Sequence, residues 1–154
     1  RDLARAQMLA GRGQAAALDY RALFRARVAA GDVPGALDLY REIERGPGTA
    51  LLDPDDQARV AYYREKAGDD AGALAAYENL YRSHPAHPQG QRALVRVIVM
   101  LQGKLGDPGR AKAFLAEAAA TMPPGGWREF LETEFSLGSA PGAAPAAPPA
   151  PASR

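Results

Sequence analysis

The fold is decided by the stretch Gly68-Asp69-Asp70-Ala71-Gly72-Ala73-Leu74-Ala75-Ala76-Tyr77. The pattern of this stretch occurs again elsewhere in the chain. Residues 31–40 and 106–115 also open with Gly-Asp and carry Ala at the sixth position, and the tenth position of the three stretches is Tyr or Leu. The stretches start 37 and 38 residues apart. Recurrence at this period predicts a stacked array of helix pairs, in which each pair buries its apolar face against the next.

Signals for helix starts and helix ends surround these stretches. Asp53-Pro54 predicts a start, since Asp caps a helix and Pro is favoured at the first helical position. His87-Pro88 and Asp107-Pro108 repeat this signal, whereas Gly68 and the run Pro123-Pro124-Gly125-Gly126 predict helix ends. The acids at positions 53, 55 and 56 are interpreted as a cap and a first turn that face the positive end of the helix dipole.

One segment favours a strand by propensity alone. Residues 95–100 read Val-Arg-Val-Ile-Val-Met, and β-branched side chains are enriched in strands. We nevertheless predict a helix, because the segment lies between two capped boundaries about 15 residues apart and has no second strand to pair with. A last short amphipathic helix is predicted from Trp127 to Leu137.

The recurring pattern resembles the tetratricopeptide repeat over about residues 17–125. That family has a small residue in the first helix of each pair, a Gly-Asp-like turn, a small and then a large apolar residue in the second helix, and a closing Pro. The matching residues are Gly31, Ala36 and Tyr40 in the first repeat, Ala61, Gly68, Ala73, Tyr77 and Pro85 in the second, and Gly106, Ala111, Ala118 and Pro123 in the third. Bulky Phe24 departs from the pattern, and Gly46–Thr49 and Gln89-Gly90 lengthen the connections beyond the usual 34-residue repeat.

The resemblance implies an all-α, tetratricopeptide-like solenoid of antiparallel helix pairs, with about three repeats over residues 1–137. Residues 1–13 would then be a helix of an earlier repeat or a cap, and Trp127, Phe130 and Phe135 would cap the other end. Residues 138–154 form a separate Ala/Pro-rich tail. Its Ser139–Ser153 segment holds only Ser, Ala, Pro and Gly and cannot bury enough apolar surface, so we expect it to be disordered.

Composition excludes several classes of function. Lys and Arg total 19 against 18 Asp and Glu, so the net charge is +1 and no basic excess favours nucleic acid. The absence of Cys excludes a disulfide scaffold, a thiolate zinc site and a Cys nucleophile. No apolar run approaches the roughly 20 residues of a membrane span. The compartment stays open: the cytoplasm is favoured, and a membrane-tethered or periplasmic location would follow from an anchor before Arg1.

No convergent set of catalytic groups is visible, so we predict that the chain is not an enzyme and has no cofactor and no metal site. His84 and His87 have the spacing of two metal ligands, but no nearby Cys, Asp or Glu completes a site. We interpret them as parts of an inter-helix turn. The glycine-rich turns at residues 11–13 and 46–48 lack the Lys-Ser/Thr of a phosphate-binding loop.

The resemblance implies that the first helix of each pair lines a concave groove, and helical spacing gives the side chains that face it. The predicted groove residues are Arg21, Arg25, Tyr62, Lys66, Arg96, Met100 and Lys104. The cations would make the groove basic, and Tyr62 and Met100 would form its apolar floor. Such a groove suits a peptide with acidic groups or a free C-terminal carboxylate, and a solvated Arg-rich face is the alternative. The chaperone-tail clamp of some family members is not expected, because it relies on Asn and the only Asn here is Asn79.

These features predict a protein–protein interaction module, an adaptor or assembly scaffold whose partner is another protein or a peptide. Two alternatives stay open. One is a regulatory or accessory domain of a larger enzyme, such as a membrane-anchored protease or a maturation factor. The other is homo-oligomerisation through Phe130, Leu131 and Phe135.

Overall fold

The computed structural model describes residues 13–45 and 52–135, with side chains from Asp19 onward. These residues form seven α-helices and no strand, which confirms the predicted all-α fold for this part of the chain. The helices are α1 (Gly13–Ala29), α2 (Val33–Arg45), α3 (Pro54–Lys66), α4 (Asp70–Ser83), α5 (Pro88–Gln102), α6 (Pro108–Thr121) and α7 (Gly126–Phe135). None of them is long and apolar enough to cross a bilayer. The predictions for residues 1–12 and for the tail from residue 138 lie outside the described residues.

The Gly-Asp pair is a helix end followed at once by a helix start. Gly68 has a φ of +79°, which glycine adopts without steric cost. Its N–H donates to the carbonyl of Glu65 at 3.1 Å, and the Asp69 N–H donates to the carbonyl of Arg64 at 3.0 Å. This is the hydrogen-bond pattern of a Schellman cap, which ends α3. The Asp69 carboxylate then accepts from the Gly72 N–H at 2.9 Å and caps α4.

The Asp cap recurs at the other two Gly-Asp pairs, and the Schellman hydrogen bonds recur at Gly31-Asp32, whereas the Asp107 N–H donates to the carbonyl of Leu101 at 2.8 Å. Gly31 and Gly106 also have positive φ, at +72° and +60°. Asp32 and Asp107 each accept from the backbone N–H three residues on, at 2.9 and 3.0 Å. The repeated letters of the sequence are therefore a repeated turn of the backbone.

Two of the predicted helix starts differ in how they are capped. His87 is the N-cap residue of α5, at the helix start predicted from His87-Pro88, and its Nδ1 accepts from the Gln89 N–H at 3.1 Å. Asp53 stands at the cap of α3, but its side chain makes no capping hydrogen bond. Its carboxylate pairs instead with Arg21 and Arg25 of α1. The interpretation of Asp53 as a side-chain cap was therefore wrong, because a charged partner on α1 competes for the same oxygen atoms.

Helix α5 lies at the centre of the packing. Each helix contacts the next in the chain, and α5 also contacts α3 and α7. Because four helices surround α5, most of its side chains from Ala93 to Leu101 are buried, and Val97 and Ile98 are fully buried. This explains the β-branched run at residues 95–100 and confirms the helix predicted there.

Two apolar clusters meet on α3. Val60 belongs to the cluster built with α1 and α2, and Ala61 belongs to the cluster built with α4 to α7. Phe24 is fully buried in the first cluster, and Leu80 is fully buried in the second. The sixth-position alanines of the repeat, Ala36, Ala73 and Ala111, are also fully buried.

Ala73→Leu is expected to lower the free energy of unfolding by about 1–3 kcal/mol, because a larger side chain overpacks a close helix contact. Ala75→Leu is the matched control on α4, since Ala75 is exposed and the same change there is expected to cost less than about 0.5 kcal/mol. Urea unfolding followed by circular dichroism measures both variants. Equal stabilities of the two variants would contradict the close packing at Ala73.

Candidate peptide-binding groove

An open groove of about 710 Å³ runs between α3, α5 and α7, with Tyr77 and Leu80 of α4 at its floor. Its walls combine exposed aromatic rings with charged side chains. The aromatic residues are Tyr62, Tyr63, Trp127 and Phe130, and the charged ones are Asp55, Arg59, Glu65, Lys66, Arg92 and Arg96.

Three large apolar side chains are exposed together in this groove. Tyr62 is 49% exposed, Trp127 43% and Phe130 38%. Leu105 is the only other large apolar side chain of the described residues with comparable exposure. Several exposed aromatic rings that converge on one concave surface are typical of a binding site.

The structure corrects the interpretation of α7 as a simple cap. Leu131 is fully buried in the apolar core and Phe135 packs against that core as predicted, whereas Trp127 and Phe130 are exposed. Phe130 packs edge-on against Phe135, with ring centroids 6.2 Å apart, and Trp127 faces the groove. Leu131 is therefore not available for the alternative of homo-oligomerisation through α7.

Arg96 lines the groove and Lys104 does not, and carboxylates of the same chain pair with both. Arg96 Nε donates to Glu65 Oε2 at 2.9 Å, and its Nη2 contacts Glu65 Oε1. Lys104 Nζ lies 3.7 Å from Glu65 Oε1 and 3.1 Å from Asp70 Oδ1. The hydrogen bond from Arg96 is the main reason that the pKa of Glu65 lies below its usual value.

Arg21 and Arg25 do not line this groove. Arg25 Nε donates to Asp56 Oδ2 at 2.9 Å, and Arg21 Nη1 lies 3.5 Å from Asp53 Oδ1. Asp56 is only 3% exposed, so Arg25 neutralises a buried carboxylate. These two arginines therefore join α1 to the start of α3. Reversing the charge of these two arginines would therefore destabilise the fold as well as change the binding of a ligand.

Met100 does not form the floor of the groove, and that prediction was wrong. Its side chain is 1% exposed and belongs to the apolar core. Arg92, Arg96 and Val99 of α5 face the groove instead, at spacings of four and three residues. At 3.6 residues per turn, two steps of four from Arg92 rotate about 80° around α5, so Met100 lies off the groove face, whereas Val99 stays within about 20° of Arg92.

Tyr62 and Lys66 line the groove at the positions expected from helical spacing. Lys66 Nζ lies 5.4 Å from the centroid of the Tyr62 ring, within cation–π distance. Both side chains are exposed and accessible to a ligand.

Sequence reasoning missed two groove cations, Arg59 and Arg92. Arg59 precedes Tyr62 by three residues and Arg92 precedes Arg96 by four, so helical spacing could have found both. Arg59 pairs only loosely with Asp56, since its Nη1 lies 4.0 Å from Asp56 Oδ1. Arg92 forms no ion pair within the described part of the chain. Together with Lys66, which also forms no ion pair with a carboxylate of the described residues, these two arginines are the groove cations that carboxylates of this chain hold least.

The two histidines have structural contacts. His84 Nε2 lies 3.3 Å from Gln57 Nε2, next to the buried start of α3, and His87 caps α5. Among residues 13–45 and 52–135, no group of three side chains is placed to hold a metal ion.

Glu65 gives the stability a defined pH dependence. Because its pKa is lowered in the folded state, its contribution is fully present above the unfolded value of about 4.3 and is lost as pH falls through the folded value. Wild type is therefore expected to lose its stability advantage over Glu65→Gln progressively as pH falls below the unfolded value of about 4.3. Urea midpoints of both proteins above and below this value measure it, with Glu129→Gln on the exposed side of α7 as control. A gap that stays constant with pH would contradict the ion pair.

A scan against protein-family models finds no match to this chain. Comparisons with curated proteins and with solved structures find no significant match either.

Proposed function

We propose that the protein is an interaction module that binds a peptide segment of a partner protein in the groove between α3, α5 and α7. The observation that carries the proposal is the convergence of Tyr62, Trp127 and Phe130 with exposed cations on one open surface. No catalytic role is assigned to the chain in this proposal.

The proposed architecture is the tetratricopeptide-like solenoid. It is supported by the Gly-Asp turn that recurs with the same capping hydrogen bonds at three places. It is also supported by the contacts of α5 with both α3 and α7, since a stack of helix pairs brings every second helix together. In such a stack, α3, α5 and α7 form one continuous inner wall.

The aromatic rings supply most of the affinity in this proposal. Trp and Tyr are enriched among the few interface residues whose truncation costs about 2 kcal/mol or more, on the order of a thirtyfold change in affinity. Exposed ion pairs contribute only about 0–1 kcal/mol each. The cations Arg59, Lys66 and Arg92 therefore select among partners by charge and raise the rate of association.

Selection of peptides from a random library displayed on phage tests the proposal. The full chain is immobilised, and peptides that also bind the Tyr62→Ser/Trp127→Ser double variant are removed. We expect groove-dependent peptides with apolar or aromatic residues next to acidic ones, and their binding should survive Lys112→Glu on the exposed side of α6. A selection in which removal with the double variant leaves no enriched peptide would overturn the proposal.

Self-association is a second candidate, because the same exposed aromatic rings could pack against a second copy. Light scattering of wild type and of the Tyr62→Ser/Trp127→Ser variant separates the two. If the wild type has the mass of more than one chain and the variant has the mass of one chain, self-association is favoured over peptide binding.

A further inference from the structure

We infer that the groove between α3, α5 and α7 binds a proline-rich segment, and that its occupant is the chain's own tail, at residues 140–151. The inference rests on the proposed function, because it concerns the same groove, and it adds the chemistry of one ligand and a control on access. A partner segment must displace the tail before it binds.

The prolines of the tail have the period of a polyproline helix. Pro145, Pro148 and Pro151 follow one another at intervals of three residues. A polyproline II helix has three residues per turn and rises about 3.1 Å per residue, so these three rings lie on one edge of such a helix, which is about 19 Å long. We call this set the proline edge. Because proline fixes φ near the value of this helix, the segment loses little conformational entropy when it binds.

The groove has the features that receive such an edge. Tyr62, Trp127 and Phe130 are exposed on it, and proline-rich segments dock in grooves lined by aromatic rings. A polyproline helix makes no internal hydrogen bonds, so its carbonyls can accept from donors such as Tyr Oη and Trp Nε1. On α5 the groove runs from Gln89 to Val99, a distance of about 15 Å that is similar to the length of the proline edge.

The tail begins beside this groove. Phe135 is the last residue of α7, and its ring contacts that of Phe130 in the groove wall. Pro145 follows Phe135 by ten positions, which span up to about 31 Å in polyproline form, whereas α7 is about 15 Å long. The proline edge can therefore reach back over the whole of α7. A connection of this length gives an effective concentration in the millimolar range, so a contact with a millimolar dissociation constant fills about half of the grooves.

The tail uses the aromatic rings of the groove and not its charges. Residues 139–153 carry no charged side chain, while four cationic and two acidic side chains line the groove. A partner with apolar and acidic residues therefore gains contacts that the tail lacks, and it displaces the tail. A groove-dependent peptide from the phage selection should bind Pro145→Ser/Pro148→Ser about twofold or more tightly than wild type, measured by fluorescence anisotropy. Equal affinities would contradict this competition.

Paramagnetic broadening of one resonance locates the tail. The chain has no Cys, so Ser153→Cys provides a single site for a nitroxide label in the full chain. Trp127 is the only Trp, so its indole N–H gives a single resonance in an isotope-labelled sample. We expect the nitroxide to broaden this resonance strongly, and reduction of the nitroxide with ascorbate to restore it.

Matched proline variants test whether the proline edge makes the contact. In the nitroxide-labelled chain, Pro145→Ser/Pro148→Ser removes two rings of the edge and should lose most of the broadening. Pro141→Ser/Pro149→Ser removes two prolines that lie off the edge and should keep the broadening of wild type. Circular dichroism melts of each variant confirm that the helices are folded at the temperature of the assay.

A variant of the groove tests the other side of the contact. Tyr62→Ser should reduce the broadening as well, because the tail loses an aromatic ring on α3, which is not the helix that precedes the tail. Broadening that is unchanged in Tyr62→Ser would show that the tail lies along α7 and outside the groove.

The outcomes separate this inference from the function on which it rests. Absence of broadening in wild type, or equal broadening in the two proline variants, would overturn the inference and leave the proposed function standing. Broadening found only when nitroxide-labelled chain is mixed with isotope-labelled chain would assign the groove to the tail of a second copy, and so would also overturn it. A docked tail without any groove-dependent phage peptide would overturn the proposed function alone.

Discussion

Phe24→Ala is expected to lower the free energy of unfolding by about 3–5 kcal/mol, the usual cost of removing a buried aromatic ring. Phe24 is fully buried in the apolar cluster of α1, α2 and α3, and it contributes a large side chain among the small Ala36 and the branched Leu39 and Ile43. Removing the ring leaves a cavity that these neighbours cannot fill without moving α1. Urea unfolding followed by circular dichroism measures the loss.

The resemblance to the tetratricopeptide repeat leads to the opposite expectation at position 24. Ala61, which lies 37 residues after Phe24, is the small residue that the repeat pattern expects in the first helix. If α1 packed like α3, alanine at position 24 would cost little. A loss below about 1.5 kcal/mol would therefore show that the site collapses around a small residue. Tyr62→Ala is the control for the removal of an aromatic ring, since an exposed ring is expected to cost less than about 1 kcal/mol.

Trp127→Ala is expected to weaken the binding of groove-dependent peptides by about thirtyfold or more, as removal of a central aromatic anchor does at many interfaces. The stability of the fold should change little, because the side chain is 43% exposed and Leu131 of the same helix seals the core. Fluorescence anisotropy of a labelled peptide measures the affinity of each variant.

Two controls separate the ring of Trp127 from its polar N–H. Trp127→Phe keeps an apolar ring and is expected to retain affinity to within about fivefold, a loss of about 1 kcal/mol. Because Trp127 is the only Trp of the chain, its emission also reports directly on the occupied groove in wild type. Unchanged affinity in Trp127→Ala, or unchanged emission on binding, would place the peptide elsewhere.

The helices and their turns could be predicted because their signals are local. Gly68-Asp69 ends one helix and caps the next through hydrogen bonds that span five residues or fewer, so the pattern is visible in a short window of sequence. The same holds for Pro54, Pro88 and Pro108, each of which begins a helix.

The charge of the groove could not be predicted from such windows. The pairs Arg96–Glu65 and Arg25–Asp56 each join residues 31 positions apart, so only the packed helices bring them together. A count of cations on helix faces therefore overestimated how basic the groove is. Met100 was misplaced for a different reason: steps of four residues rotate it about 80° away from Arg92 around α5, into the apolar core.

The division of the apolar core at α3 determines which part of the protein unfolds locally. No apolar cluster of the described residues joins α1 and α2 directly to α4–α7, and α3 alone contributes to both. Amide hydrogens of α1 and α2 should therefore exchange with solvent through a partial opening that leaves α4, α5 and α6 protected. The ion pairs of Arg21 and Arg25 with Asp53 join α1 to the start of α3, and salt screens such exposed pairs. Raising the ionic strength should then widen the gap between the protection factors of the two units.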